Sequence, residues 1–242
     1  MEICAHRGAS GYAPENTLEA FELAADMHAD SVELDVHLSR DGELVVAHDE
    51  DIGRVSNGSG KICEMTLAEL KGYVFNRTQP AYRSARIPTL KEVFELVKAR
   101  GLRVNVELKN SVVPYPGMEL KCIELAAAMG MTSSVLYSSF NHESLCRVKA
   151  IDRSLPCGLL YQRTPREPWV TAARRGMDAV HPQFRVLRRK GFCAAAHAAG
   201  IMVNPWTVNK EEDLLFVMAA GADSIITNFP DRAVALRAGF HA

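Results

Sequence analysis

The sequence lacks a large charge of either sign. It has 28 lysines and arginines against 29 aspartates and glutamates, for a formal net charge of −1. A nearly neutral chain does not favour wholesale binding to nucleic acid or to an acidic membrane surface. Any attraction for an anionic ligand must therefore come from a local arrangement of basic side chains. We expect a small-molecule ligand and no nucleic-acid partner.

Long apolar runs are also missing, although 48% of the residues are hydrophobic. No stretch approaches the ~18 uninterrupted apolar residues that a membrane helix needs. The N-terminal run MEICAHRGASG has no basic segment followed by an apolar stretch, which argues against a signal peptide. We expect no stable insertion into a membrane.

Paired cysteine motifs are absent. None of the six cysteines forms a C-x-x-C pair, their spacing fits no zinc-site pattern, and several lie inside apolar runs, where a free thiol behaves as a small hydrophobic residue. Unpaired cysteines are typical of a reducing compartment, so the sequence predicts a cytoplasmic protein.

What the sequence does contain is a regular alternation of short apolar runs and segments with helical periodicity. The predicted strands are Glu2–Ala5, Ser31–Val36, Arg103–Leu108, Val135–Ser138, Cys157–Tyr161, Asp178–Val180, Ile201–Asn204 and Asp223–Ile226. The predicted helices are Thr17–Met27, Leu90–Lys98, Met118–Met129, His142–Ala150, Pro168–Arg174, Arg185–Ala198, Lys210–Ala219 and Asp231–Arg237. Eight strands, each followed by a helix, indicate parallel β/α units.

Glycine ends five of these helices shortly before the next strand, at Gly101, Gly130, Gly176, Gly200 and Gly221. Glycine tolerates the left-handed conformation that closes a helix, so this repeat supports the β/α assignment.

An α/β chain of 242 residues can form a closed barrel or an open doubly wound sheet. The G-x-G-x-x-G motif of dinucleotide-binding sheets does not follow the first strand, where His6-Arg7-Gly8 stands instead. The sequence therefore predicts one TIM (β/α)8 barrel domain over residues 1–242. Residues 49–88 depart from the β/α rhythm, with turn-forming Asn57-Gly58 and Ser59-Gly60, and we interpret them as an insertion after the second strand, too small to bury its own core.

Three carboxylates are placed to share one cation. Glu33 and Asp35 are two residues apart on a strand and so point to the same face, and Glu107 ends the third strand. In a barrel, the carboxyl ends of the strands form the functional face. Oxygen ligands favour Mg²⁺ or Ca²⁺ over zinc. For a single carboxylate an ordinary ion pair, such as Glu107 with Lys109, is the more common explanation. Two carboxylates inside an apolar strand are costly to bury without a cation.

Further polar and aromatic residues lie at the same predicted strand ends. His6 and His48 can serve as general base and acid, since imidazole titrates near neutral pH. Arg7 and Lys109 can hold an anion, or can pair with the carboxylates. Phe140 and Trp206 can form an apolar wall, although core packing explains Phe140 as well. We interpret the remaining histidines as structural or surface residues: His28, His37, His142, His181, His197 and His241. This combination suits hydrolysis at an anionic phosphorus centre.

Several long motifs resemble the glycerophosphodiester phosphodiesterase family. They are AHRGASGYAPENTLEAF, VELDVHLSRDGELVVAHD, RVSNGSG, IPTLKEV, VELK, SSF, PWTVN and TNFPD, and they span nearly the whole chain. The resemblance implies a TIM barrel with a small insertion and one divalent cation, Mg²⁺ or Ca²⁺, on Glu33, Asp35 and Glu107. It also implies acid–base roles for His6 and His48 and phosphate binding by Arg7 and Lys109. The region VHPQFRVL matches only loosely, which leaves any substrate contact of His181 and Gln183 open.

The reaction that the resemblance implies is hydrolysis of a glycerophosphodiester to sn-glycerol 3-phosphate and an alcohol. The sequence does not choose between attack by the glycerol 2-hydroxyl, through a cyclic phosphate, and direct attack by water. Nor does it identify the alcohol, the metal or the oligomeric state. One alternative is a barrel enzyme for lysophospholipids, whose apolar surface would lie in the insertion at Tyr73, Phe75 and Tyr82. The other is a non-catalytic phosphodiester-binding protein.

Overall fold

The fold, described over residues 1–240 by a computed structural model, is built on eight parallel strands. They are β1 (Glu2–His6), β2 (Ser31–Leu38), β4 (Arg103–Leu108), β5 (Val135–Ser139), β6 (Cys157–Leu160), β7 (Ala179–His181), β8 (Met202–Val203) and β9 (Ser224–Thr227). A short strand β3 (Leu44–Val46) pairs antiparallel with β2.

The strands follow the order β8-β7-β6-β5-β4-β2-β1-β9. Backbone hydrogen bonds also join the two ends of this order: Asp223 N donates to Val203 O at 2.9 Å, and Ile226 N donates to Pro205 O at 3.1 Å. The sheet is thus wrapped into a TIM (β/α)8 barrel, as the sequence predicts. Strands β1, β2 and β4 to β8 are each followed in the chain by at least one helix.

The helices are α1 (Leu18–Asp26), α2 (Leu67–Lys71), α3 (Leu90–Ala99), α4 (Met118–Ala128), α5 (His142–Ile151), α6 (Pro168–Arg174), α7 (Phe192–Ala198), α8 (Glu211–Ala219) and α9 (Pro230–Gly239). Threonine caps α1, α2 and α3, and in α2 and α3 a glutamate three residues later completes a capping box. The five predicted helix-ending glycines all have a positive φ, between 66° and 79°. Among residues 1–240, no helix is long and apolar enough to cross a bilayer.

Strand β2 shows why the core and the site can share one element. Val32, Leu34 and Val36 are buried in the main hydrophobic core, to which the helices contribute. The alternate residues Glu33 and Asp35 point to the opposite face, which is the barrel interior, because side chains alternate along a strand. One strand therefore anchors the helical layer and carries carboxylates into the barrel.

Two predictions on the fold are wrong. The predicted helix Arg185–Ala198 is a 3-10 helix, Phe184–Arg188, followed by the separate helix α7. Gly191, with a φ of 75°, separates them because a left-handed residue cannot continue a right-handed helix. The insertion does bury a small cluster, in which its residues pack with Val45 and Ala47 from outside it. The insertion residues are Ile52, Val55, Ile62, Leu70, Phe75 and Ile87.

That cluster also reduces the apolar surface proposed for a lysophospholipid. Phe75 is buried, and Tyr73 packs against the same cluster. Two of the three aromatic residues of the insertion therefore stabilise it internally.

Candidate active site

A cavity of about 300 Å³ opens at the carboxyl ends of the strands, and we call it the upper cavity. In TIM barrels this end carries the active site. Eight of the nine predicted site residues line the cavity: His6, Arg7, Glu33, His48, Glu107, Lys109, Phe140 and Trp206. The ninth, Asp35, is fully buried in contact with Arg7 and Lys109. The structure thus brings all nine together.

The three carboxylates form one cluster, in which one oxygen each of Glu33, Asp35 and Glu107 lies within 4.8 Å of the others. Asp35 and Glu107 face each other in the register of β2 and β4. Burial, together with the negative charges of its neighbours, raises the pKa of Glu33 well above its usual range. Burial, and secondarily the negative charge of Asp35, raise the pKa of Glu107 to about 7.

Asp35 behaves differently from its two neighbours. Burial alone would raise its pKa, but the positive charges of Arg7 and Lys109 outweigh burial and lower it. Asn16 also donates from Nδ2 to Asp35 Oδ2 at 2.8 Å. The other oxygen, Oδ1, is buried and has no hydrogen-bond partner.

This cluster fits a divalent cation. The charge of Asp35 raises the pKa values of Glu33 and Glu107, so the three buried carboxylates gain from a shared positive charge. Asp35 Oδ1, which makes no hydrogen bond, offers a ligand atom. All of the donors are oxygen, which suits Mg²⁺ or Ca²⁺. The cluster therefore can hold a metal ion.

Two basic side chains lie against the carboxylates. Lys109 Nζ is 3.0 Å from Glu107 Oε1 and 3.5 Å from Asp35 Oδ1, while Arg7 Nε is 3.4 Å from Asp35 Oδ2. The ion pairs considered from the sequence are thus present, and the same groups line the upper cavity, where an anion can reach them. Arg7 has a φ of 57°, which is uncommon for a residue other than glycine. Its N–H donates at 3.0 Å to the backbone and the side chain of Glu33.

His6 is held in one tautomer by Asn228. Its Nδ1 lies 2.7 Å from Asn228 Oδ1, and an amide oxygen only accepts, so Nδ1 carries the proton. The Nε2 lone pair then faces the cluster, 4.0 Å from Glu33 Oε2. Burial, and secondarily the charge of Arg7, lower the pKa of His6 to about 4. Its imidazole is therefore neutral near pH 7.

His48 is oriented by a different group. Its Nδ1 lies 2.5 Å from Asp49 Oδ1 and donates to that carboxylate. The other ring nitrogen, Nε2, takes no part in this contact. Burial opposes ionisation of Asp49, but hydrogen bonds from Arg54 and His48 outweigh it and lower the pKa of the carboxyl. The two histidines thus differ in partner, one an amide and the other a carboxylate.

His37 anchors the segment that carries His48. Its Nε2 donates to the His48 carbonyl at 3.2 Å, so its Nδ1 accepts from the Tyr115 hydroxyl at 3.1 Å. Burial lowers the pKa of His37 to about 4, in keeping with this neutral tautomer. A structural role for His37 agrees with the sequence interpretation.

The opposite side of the cavity is apolar. Phe140 and Trp206 stand edge to face with their ring centroids 5.7 Å apart. Trp206 Nε1 donates to the His181 carbonyl at 2.8 Å, which fixes the indole. The upper cavity thus combines a charged side with an aromatic side.

Sequence reasoning assigned no role to four polar partners of the site: Glu15, Asn16, Asp49 and Asn228. Asn228 follows the last strand, and Asp49 follows His48, so their positions held a signal. Glu15 and Asn16 come from the loop after β1, and nothing in their spacing indicates which charges they meet. His181 is buried within the barrel and does not line the upper cavity, and His241 lies outside the described residues.

Comparison with known proteins agrees with this geometry. Residues 6–232 match the model of the glycerophosphoryl diester phosphodiesterase family. A glycerophosphodiester phosphodiesterase from Caldanaerobacter subterraneus subsp. tengcongensis is 41% identical over 239 residues, covering 97% of this chain and 96% of the relative. One from Bacillus altitudinis is 37% identical, with 98% of each chain covered.

Solved structures give the same answer. A phosphodiesterase from Oleispira antarctica, solved with its product sn-glycerol-3-phosphate, superposes with a TM-score of 0.89 at 29% identity, covering 98% of this chain and 97% of that one. A glycerophosphodiester phosphodiesterase from Agrobacterium tumefaciens superposes with a TM-score of 0.86 at 27% identity, covering 97% and 99%. The chain is therefore an enzyme of the glycerophosphoryl diester phosphodiesterase family.

Proposed function

We propose that the upper cavity hydrolyses glycerophosphodiesters to sn-glycerol 3-phosphate and an alcohol. The observation that carries this proposal is the meeting, in one cavity, of three carboxylates, two cationic side chains and two histidines with different partners. The Oleispira antarctica relative, which is solved with sn-glycerol-3-phosphate, supports the same product.

The cation site supplies part of this chemistry. Glu33, Asp35 and Glu107 would hold one Mg²⁺ or Ca²⁺ ion, which when bound neutralises charge on the phosphate oxygens. Arg7 and Lys109 would bind the remaining phosphate oxygens. Arg7 presents a planar fork of donors, whereas Lys109 presents a single ammonium.

The two histidines divide the proton transfers. His6, with Nε2 unprotonated, accepts the proton of the attacking hydroxyl as that oxygen bonds to phosphorus. His48, whose Nδ1 donates to Asp49, acts as the general acid and gives a proton from Nε2 to the alcohol oxygen as its bond to phosphorus breaks. Each transfer typically contributes about 10²–10⁴ in rate. The aromatic pair Phe140 and Trp206 would wall the cavity beside the organic part of the substrate.

The attacking group is either the glycerol 2-hydroxyl or water. Attack by the 2-hydroxyl forms a five-membered cyclic phosphate that water then opens, whereas attack by water forms glycerol 3-phosphate in one step. Phosphorus NMR during turnover separates the two, because only the first path gives a transient cyclic phosphate signal.

We also propose that the protein acts in the cytoplasm on a small-molecule substrate, as one domain. The support is that all six cysteines are free and that residues 1–240 contain no membrane-spanning helix.

The direct test is a substrate panel with purified protein. Glycerophosphocholine, glycerophosphoethanolamine and glycerophosphoglycerol should each release glycerol 3-phosphate, measured by a coupled enzymatic assay. A lysophospholipid is the comparison substrate. Turnover of the lysophospholipid alone would show that lysophospholipids, and not glycerophosphodiesters, are the substrate class. Tight binding of a diester without release of glycerol 3-phosphate would indicate a non-catalytic protein.

A further inference from the structure

Five side chains, the first four of alternating charge, connect the phosphate-binding side of the upper cavity to His48. They are Arg7, Glu15, Arg54, Asp49 and His48, and we call them the charge chain. Arg7 donates to Glu15 Oε1 at 2.8 Å, Arg54 donates to both Glu15 and Asp49, and Asp49 accepts from His48 at 2.5 Å. The chain joins residues up to 47 positions apart in sequence.

Arg54 is the central link, and its geometry is specific to arginine. Its two terminal nitrogens donate to the two oxygens of Glu15, at 2.8 Å and 2.7 Å, in a fork-to-fork arrangement. Its Nε donates to Asp49 Oδ2 at the same time. Lysine carries a single ammonium and cannot make this planar set of contacts.

Arg54 belongs to the insertion, and the local turn fixes its position. It ends the 3-10 helix Ile52–Arg54, whose first turn is capped by Asp51 through Gly53 N at 2.7 Å. Asp51 also accepts from Gly60 N at 3.2 Å, which ties this helix to the glycine-rich turn. Through Arg54 the insertion therefore touches the catalytic machinery.

The charges of the chain depend on one another. Burial alone would raise the pKa of Glu15, but the hydrogen bond from Arg54 and the charge of Arg7 outweigh it and lower the pKa. Asp49 is held ionised in the same way. Without the contact from Arg54 Nε, the Asp49 carboxylate would keep only its contact with His48 and would be free to rotate.

We propose that Arg54 and Glu15 are positioning residues, which hold Asp49 so that the His48 imidazole is aimed at the leaving alcohol. The proposal rests on the proposed function, because it assigns His48 the proton that the alcohol receives. Neither residue needs to touch the substrate. Arg54 is partly exposed, and ion pairs at such positions stabilise a fold only weakly, so the contribution of Arg54 is geometric.

The test compares two leaving groups in Arg54→Lys. Glycerophosphoethanolamine releases an alkoxide that needs a proton, whereas the p-nitrophenyl diester of glycerol 3-phosphate releases a stable phenolate. We expect kcat to fall roughly 10- to 100-fold for the first substrate, which is part of the rate that general-acid catalysis contributes. For the second substrate, we expect kcat to fall less than about threefold. Arg83→Lys is the matched control, since Arg83 lies in the same insertion, is exposed, and makes no side-chain hydrogen bond or ion pair within residues 1–240.

A double-mutant cycle checks that Arg54 acts through Asp49. Asp49→Asn should show the same selective loss, and adding Arg54→Lys to it should lower kcat less than about threefold further, because linked residues are not additive. Equal losses on both substrates, full additivity, or no loss at all in Arg54→Lys would overturn the positioning role. If the wild-type protein hydrolyses neither substrate, the proposed function fails and this inference fails with it. The thermal unfolding midpoint of each variant shows whether a loss of kcat comes from unfolding or from a misplaced His48 imidazole.

Discussion

The polar groups at the two ends of the barrel differ in charge: those at one end are charged, and the buried ones at the other end are neutral. At the carboxyl ends of the strands, Glu33, Glu107, an arginine and a lysine line the upper cavity, and Asp35 is buried against them. At the amino ends lies a second cavity of about 180 Å³, the lower cavity, whose buried polar lining is neutral and includes Asn105, His181 and Asn204. Asn204 Nδ2 donates to His181 Nε2 at 3.1 Å, so even the histidine there is bound as a neutral ring.

This difference separates what the fold requires from what the chemistry requires. The buried interior of the lower cavity is polar without ionised groups, and its charged lining residues Glu2, Arg103 and Asp223 are partly or fully exposed. Burying ionised groups is costly unless they are paired. The upper cavity concentrates them and compensates them with opposite charges, and two of its carboxyls still have raised pKa values. We propose that the charges at the carboxyl end serve substrate and cation binding rather than folding.

The largest expected effect comes from substituting one histidine at each end of the barrel and comparing the two variants. His6→Ala should lower kcat by about 10²–10⁴, since it removes a proton acceptor. His181→Gln, in the lower cavity, should keep kcat within about threefold, because His181 does not line the upper cavity. Steady-state kinetics on glycerophosphocholine measure both. Comparable losses in the two variants would mean that the ends are not functionally distinct.

A smaller effect is the pH dependence of the unfolding free energy that His181 of the lower cavity contributes. Burial lowers the pKa of His181 to about 3, whereas in the unfolded chain it is about 6.5. Below that value the unfolded state binds a proton that the folded state does not, so stability is complete above pH 6.5 and is lost as the pH falls. Between pH 7 and pH 5 this one residue should cost about 2 kcal/mol of unfolding free energy.

Urea denaturation of wild type and His181→Gln at both pH values checks this. The variant should lose about 2 kcal/mol less than wild type on going to pH 5. His28→Asn, at an exposed position with a φ of 60°, should behave like wild type. Identical pH dependence in wild type and His181→Gln would show that the lower cavity admits the imidazolium.

The smallest expected effect concerns repulsion in the upper cavity. In metal-free protein, Glu33→Gln should raise the unfolding free energy by about 1 kcal/mol, because Glu33 is one of three crowded carboxylates and its own pKa is raised. Added Mg²⁺ or Ca²⁺ should raise the melting temperature of wild type and have little effect on the variant. Calorimetry with and without metal measures both shifts. A variant less stable than wild type in the absence of metal would show that repulsion does not dominate there.

Features with a local signature were predictable from the sequence. The eight strands and the five helix-ending glycines follow from periodicity and from the conformational freedom of glycine. Glu33 and Asp35 were placed together by strand alternation alone. Glu107 required the barrel, because only the closed fold predicts that carboxyl ends of separate strands converge.

What could not be predicted depends on long-range pairing or on a local break. The bond from Asn228 to His6 spans 222 positions, and that from Arg54 to Glu15 spans 39. No periodicity specifies such partners. The break at Gly191 was hidden because the flanking residues are good helix formers, and the small core of the insertion was hidden because its apolar residues are scattered among turns.

The most direct test of the central claim, that the charged end binds a cation needed for hydrolysis, is a metal-reconstitution assay. Protein stripped with EDTA and dialysed is assayed for glycerol 3-phosphate release from glycerophosphocholine, before and after addition of Mg²⁺ or Ca²⁺. We expect no release in excess EDTA and saturable recovery with at least one of the two ions, which Asp35→Asn abolishes. Full activity of the stripped wild-type protein in excess EDTA would contradict the account.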